Sequence, residues 1–420
     1  MKHAASSADQ VWILVSSGLV MIMLPGLALF YGGMVRAKNV LSVMMNVLVA
    51  LAVVSVIWVL GGFSLAFGDD VGGGLIGNLH LFGLHHLDKP LPGLAALSVT
   101  PSAFMLFQLM FAAITAALLA GAVADRMRFG AFVAVIVLWT LLVYIPVAHW
   151  VFSPTGWLAG HGVLDFAGGT VVEVNSGFSA LALAIAVGRR KGWPHEAMAP
   201  HSVPLTLVGA GILWFGWFGF NAGSALSVGN VATTAFINTQ LAASTGLIGW
   251  LLVDRYPRGR ATTLGAASGA VAGMVAITPC AGFLDPVAAL AVGLVAGLVC
   301  ANAVKLKFKL GYDDTLDVLG VHGVGGLIGM LGLGLLATTS VNAAGRNGLL
   351  TGGSWSFLGW ELAAAAITAA FAFTVTFGIA KVVDLTFGLR VDPEAEFNGL
   401  DLSEHAESAY SAGSSGRISS

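Results

Sequence analysis

Along the chain, runs of about twenty apolar residues alternate with short segments where polar and charged residues gather. A run of that length crosses a ~30 Å hydrocarbon core as an α-helix, whereas an amphipathic soluble helix would place polar residues on one face throughout. Eleven such runs occur, at residues 11–31, 40–67, 101–123, 130–152, 169–188, 203–220, 231–253, 261–283, 287–304, 318–337 and 355–382. The pattern predicts an all-α polytopic membrane protein with eleven transmembrane helices.

The connections between the runs differ in charge. Arg36, Lys38, Arg126, Arg128, Arg189, Arg190, Lys191, Arg255, Arg258, Arg260, Lys305, Lys307, Lys309, Lys381, Arg390 and Arg417 follow odd-numbered runs, whereas the opposite side holds only Lys2, Lys89 and Arg346. Because cytoplasmic loops accumulate Lys and Arg, this asymmetry predicts the N-terminus outside and the C-terminus in the cytoplasm. The first run starts at Val11 behind Lys2 and lacks a small-residue cleavage site, so it reads as a retained helix and not a signal peptide. The division expected is residues 1–383 as the transmembrane unit and 384–420 as a polar cytoplasmic tail. That tail ends in Ser414, Ser415, Ser419 and Ser420 and is expected to be partly disordered at its end.

Composition narrows the classes further. Of 420 residues, 57% are hydrophobic and 10% charged, and the 56 glycines suit helices packed backbone to backbone in lipid. A soluble multidomain enzyme is excluded. A net charge of −2 offers no basic surface, which argues against a nucleic-acid partner. Cys280 and Cys300 both sit in apolar runs and supply neither a disulfide framework nor a metal cluster. Eleven runs suit two inverted five-helix halves plus one helix. Asp165-Phe166-Ala167-Gly168-Gly169 and Asp317-Val318-Leu319-Gly320-Val321-His322-Gly323 open the fifth and tenth runs in a similar way.

Ionisable residues inside apolar runs are few, and each asks for a partner or a task. Glu173 lies inside the fifth run, His322 inside the tenth and Glu361 near the start of the eleventh. A carboxylate and an imidazole, one from each half and hydrogen-bonded in a narrow dry lumen, are able to share and pass a proton. Phe111, Phe152, Trp214, Trp217 and Phe220 fall near outer ends of runs, as an interfacial aromatic belt or as the walls of a small cation site. Ser224 would add a hydroxyl acceptor there. His80, His85 and His86 lie in a Gly- and Leu-rich external loop without a matching carboxylate or thiol, so solvated residues are expected and not a metal. Gly72-Gly73-Gly74 lacks the context of a nucleotide loop, and no hydrolase or protease motif occurs.

Six stretches carry a resemblance. They are Phe30-Tyr31-Gly32-Gly33-Met34-Val35-Arg36 with Lys38-Asn39, Phe107-Gln108-Leu109-Met110-Phe111-Ala112, and Ala124-Asp125-Arg126-Met127-Arg128-Phe129. Then come Asp165-Phe166-Ala167-Gly168-Gly169-Thr170-Val171-Val172, Gly216-Trp217-Phe218-Gly219-Phe220-Asn221-Ala222-Gly223-Ser224 and Gly320-Val321-His322-Gly323-Val324-Gly325-Gly326. In this order they resemble the ammonium transporter family (Amt, Mep and Rh proteins), specifically its Amt/Mep branch.

The resemblance implies a homotrimer of eleven-helix subunits, each with its own pore, in the cell membrane, with a bacterial inner membrane as the expected setting. Phe111 and Phe220 would form a stacked gate. Phe111, Phe152 and Ser224 would line an outer ammonium site, and Asp165 would be the buried acid that shapes it. Glu173 and His322 would be the lumen pair. Two positions depart from the family pattern: Glu173 stands where the first lumen histidine is usual, similar to a fungal variant, and Phe152 stands where Trp is usual. Phe binds cations less well than Trp, so a weaker outer site is expected. Transport of ammonium is the reading these residues favour, with no enzymatic activity and no cofactor. A sensor or transceptor signalling through its tail is the alternative, and a passive gas channel of the Rh type fits the motifs poorly. The tail segments Gly399-Leu400-Asp401 and His405-Ala406-Glu407-Ser408-Ala409-Tyr410 are similar to family tails that pack under the trimer and work with cytoplasmic PII signal proteins.

Overall fold

Helix ends fall where the sequence supplies caps. Thr100, Ser202, Asp285 and Ser354 each accept a backbone N–H of the first turn that follows, and Pro101, Pro204 and Pro286 sit in first turns where no N–H is needed. In the computed structural model, which describes residues 5–410, these caps bound a helical molecule. The long helices are α1 Ser7–Met34, α2 Ala37–Phe67, α3 Pro101–Val123, α4 Phe129–Gly160, α5 Gly169–Val187, α6 Val203–Gly223 and α7 Asn230–Tyr256. They continue with α8 Thr263–Ile277, α9 Pro286–Leu310, α10 Leu319–Leu336 and α11 Trp355–Phe387. Two short tail helices follow, α12 Pro393–Asn398 and α13 Leu400–His405.

Ten of these helices, among the described residues, are long and apolar enough to cross a membrane. The exception is α8, whose 15 residues reach about 23 Å at 1.5 Å per residue. It is packed on α6, α7, α9 and α10, and its apolar run continues through buried turns to Leu284, so the run at 261–283 is one helix plus a turn.

The two halves are laced together: α1 packs along α6, and α5 approaches α10. Glycine makes that second approach close. A Cβ on Gly177 would overlap the backbone of Gly323, and one on Gly326 would meet Glu173 Cβ at 2.9 Å. Both helices open with a wide π-type turn, Gly169–Val174 and Leu319–Gly323. Glu173 and His322 lie in these turns, 149 positions apart.

The spacing corrects the register suggested by sequence. With the same 149-residue step that separates Glu173 from His322, Asp165 corresponds to Asp314 and Gly168 to Asp317. Asp165 accepts the N–H of Thr170 and Asp314 that of Leu319, each at 2.8 Å. Gly168 and Asp317 both adopt left-handed backbone, with φ of 113° and 63°. The counterpart of Asp165 is therefore Asp314 and not Asp317, although Asp165 and Asp317 each stand three residues before a glycine.

On the basic side, the Ala124–Phe129 motif forms a buried polar knot. Arg190 grips Asp313 through two guanidinium bonds of 2.9 and 2.7 Å, and Arg126 donates to the Gly188 and Asp313 carbonyls and the Thr315 hydroxyl. Burial works against the Asp313 charge, yet the bonds from Arg190 hold its carboxyl below the usual range.

α11 continues to Phe387, four residues into the segment expected as tail. The tail is also structured well past that point. Asp401 accepts the Leu41 and Ser42 N–H groups at the start of α2, Glu396 pairs with Arg390 at 2.7 Å, and Tyr410 Oη bonds His201 at 2.8 Å. Ser414, Ser415, Arg417, Ser419 and Ser420 lie outside the described residues, as does Lys2.

Candidate functional site

Three compartments lie in series, leading toward the basic side. The one farthest from it, the predicted outer cavity, has about 120 Å³ and is lined by Phe107, Gln108, Phe111, Phe152, Phe166 and Ser224. Beneath it, the Phe111 and Phe220 rings stack with centroids 4.2 Å apart and planes 19° apart. Phe152 meets Phe111 edge-on at 6.3 Å, and Trp217 braces Phe220 at 5.7 Å. Below the stack is a chamber of about 20 Å³ that Phe220, Glu173 and His322 help to line. A second chamber of about 20 Å³, shared by His322 and Asp317, continues toward the basic side. Room for a water molecule begins at about 10–15 Å³ on this measure, so each chamber holds little more than one small molecule.

Local sequence explains these positions. Phe107, Gln108 and Phe111 fall on one face of α3 because residues three and four apart share a face. Ser224 sits at the C-cap of α6 and donates its hydroxyl to the Phe220 carbonyl at 2.8 Å. Its oxygen lone pairs stay free to accept, while the chain that presents Ser224 also presents Phe220 one turn earlier. Phe152 ends the regular part of α4, where His149 is buried and bonds the Ala66 carbonyl at 2.8 Å and Asp70 at 3.3 Å. These contacts tie the outer end of α4 to that of α2.

Glu173 and His322 meet directly, Oε2 to Nδ1, at 2.7 Å, and both are buried. The bond admits two arrangements that differ by one proton: imidazole N–H donating to carboxylate, or carboxyl O–H donating to imidazole. A proton arriving at either group is therefore a short step from the other.

Asp165 is placed differently from the other predicted outer-site residues. It is partly exposed and does not line the outer cavity. Its Oδ1 accepts the N–H groups of Gly168 and Gly169 at 2.8 and 2.6 Å, and its Oδ2 accepts from Thr170 N–H and hydroxyl. The carboxylate is thus spent on the start of α5, where negative charge suits the helix N-terminus. The acid expected to shape the outer site thus holds backbone at the start of α5 and is not part of the cavity wall.

Sequence reasoning also set Trp217 and Phe220 among belt candidates. Both are buried, the Trp217 indole donates to Thr278 at 2.9 Å, and both line the chamber below the stack. Gln108, Phe107, Phe166 and Phe30 were not singled out. All four stood inside the quoted motifs, but only their neighbours across helices show what they line. His80 and His86 stack at 4.3 Å in the exposed loop, and no metal-holding cluster occurs among the described residues.

Comparison with known proteins follows the same outline. A family model described as Ammonium Transporter Family matches residues 11–410. The chain is 49% identical over 403 residues to an ammonium transporter of Bacillus subtilis, covering 96% of this chain and 98% of that one. It is 48% identical over 433 residues to an ammonium transporter of Mycobacterium tuberculosis (strain H37Rv), covering 96% and 90%. Among solved structures, Saccharomyces cerevisiae Mep2 superposes with a TM-score of 0.86 at 36% identity, covering 92% of this chain and 90% of that one. A structure titled Sensor Amt Protein gives 0.86 at 31%, covering 95% and 98%. A likeness that runs over nearly the whole length, in sequence as well as in backbone, makes this multi-pass membrane chain a member of the ammonium transporter family.

Proposed function

We propose that the protein carries ammonium across the cell membrane by capturing the cation outside, removing its proton and passing ammonia and proton separately. The observation that carries this reading is the Glu173–His322 bond of 2.7 Å in a one-molecule chamber directly below stacked Phe111 and Phe220. Ammonium and potassium are similar in size, so a selective site has to read hydrogen-bond donors and an acidic proton. Phe111 and Phe152 offer ring faces and edges to a cation, and Ser224 offers a free oxygen. Past the stacked rings, a full charge in a narrow apolar chamber is prohibitive whereas neutral ammonia is tolerated. The carboxyl–imidazole pair then gives the released proton somewhere to go.

In the same reading α8 with its following turn also crosses and brings the crossings to eleven, the N-terminus lies outside, and the sixteen Lys and Arg of one side face the cytoplasm with the C-terminus. The chain works as a homotrimer in lipid, with its docked tail as the surface for a PII-type partner. Ammonium-dependent current in proteoliposomes tests the main claim. Wild-type protein should give a current, and E173Q, which keeps the shape but not the ionisable group, should reduce it at least tenfold. An unchanged current in E173Q would assign Glu173 to structure. The likeness to a sensor protein and the altered pair Glu173 and Phe152 favour one second reading, an ammonium sensor that moves little substrate. It predicts ammonium binding without current or uptake.

A further inference from the structure

Glu361 lies on α11, the helix outside the two halves, and is fully buried in an otherwise apolar stretch. A carboxyl in such a place is costly and calls for a role. Its Oε1 accepts the backbone N–H of Leu164 at 2.8 Å, whereas Oε2 has no partner in the protein. Leu164 immediately precedes Asp165, which holds the first turn of α5, and Phe166, which lines the outer cavity.

The surrounding contacts show what this bond completes. Trp360 packs its ring 4.1 Å from that of His161, and the Arg346 guanidinium sits against Gly162, where a Cβ would collide with it. From the opposite flank, Phe166 N–H donates to the Pro279 carbonyl at 2.9 Å. Residues 161–166 are therefore gripped from both sides. Lower down, α11 bonds α5 itself: Thr376 meets Ser179 at 3.0 Å, with the same separation of 197 positions as Glu361 and Leu164. The extra helix thus packs along α5 and also holds the segment that leads into it, where its stitch is a side-chain acceptor holding main chain.

We propose that Glu361 is a positioning residue for the outer ammonium site, fixing the backbone that carries Asp165 and Phe166. This rests on the outer site proposed above. What matters in Glu361 on this view is a fixed acceptor and not a charge. E361Q keeps a carbonyl of the same shape; E361L keeps the bulk and loses the acceptor.

Currents and hydrogen–deuterium exchange on wild-type, E361Q and E361L full-length protein in lipid test it. E361L should raise the half-saturating ammonium concentration about fivefold or more with maximal current per folded protein nearly unchanged, while E361Q stays within about twofold of wild type. Exchange at amides 164–170 should be about tenfold faster in E361L and unaltered in E361Q. Wild-type half-saturation and exchange in E361L would overturn the proposal. So would an E361Q that behaves like E361L, or an E361L that loses only maximal current and yield, as a merely structural role predicts. Should E361L not assemble, E361M supplies the acceptor-free variant. A wild-type protein without current would sink the transport reading, and the exchange comparison, which needs no transport, would still decide the part played by Glu361.

Discussion

Asp165→Asn is the sharpest perturbation of the outer site, because it changes one atom and no volume. In the native carboxylate both oxygens accept: Oδ1 from Gly168 and Gly169, Oδ2 from Thr170 N–H and hydroxyl. Asparagine offers one oxygen, so at least two of these donors must face an NH₂ group that cannot accept. An orphaned buried donor costs about 1–3 kcal/mol. Asp165 is partly exposed, and water relieves part of that cost, which leaves about 2 kcal/mol, or roughly thirtyfold in the population of the closed turn. Because that turn leads into Glu173 and sits beside Phe166, the loss should appear as a higher half-saturating ammonium concentration, up to about thirtyfold. Current measured against ammonium concentration reads it, alongside a melting temperature that falls by a few degrees. A D165N protein with wild-type half-saturation and wild-type melting would refute the idea that this carboxylate organises the site through the backbone.

Two other outcomes follow from packing and charge. Gly177→Ala places a methyl group on the Gly323 backbone, so α5 and α10 must separate and the Glu173–His322 bond must lengthen; ammonium current should fall by about tenfold or more even where the protein still folds, and an unaffected current would show that the close crossing is dispensable. Asp314 is buried between α9 and α10, outside the spans, with one oxygen unpartnered. Burial first and the neighbouring Asp317 charge second push its carboxyl up to about 6. A folded value above the unfolded one favours the protonated form, so its contribution to stability is present in acid and lost as pH rises from about 4 through 6. Asp314→Asn should therefore melt higher than wild type at pH 8 and lose that advantage by pH 4; an equal difference at both pH values would contradict it.

How much could be read in advance differs from residue to residue. Glu173 and His322 stood out because ionisable groups are rare in apolar runs, and their contact was a reasonable expectation once they were assigned to opposite halves. The repeat register was not legible, since Asp314 and Asp317 both precede a glycine and only the hydrogen bond to Leu319 tells which one corresponds to Asp165. Trp217 stayed open between an interfacial belt and a cation site because sequence shows that an aromatic lies near a helix end but not which way it faces. Glu361 stood out for the same reason as Glu173 and His322, but its partner had no sequence signal, because it is a main-chain N–H 197 positions away.

The chain alone therefore determines what lipid itself reads: runs of apolar residues long enough to be helices, a side rich in Lys and Arg, and the few polar groups that must find partners within. Which partners they find depends on helix crossings. Gly177 against Gly323 brings a carboxyl and an imidazole to 2.7 Å, and α8 ends early in a buried turn because other helices, not hydrocarbon, surround it. Local pattern sets each helix, but contact between helices is a property of close-packed surfaces distant in sequence, and those surfaces exist only in the folded molecule.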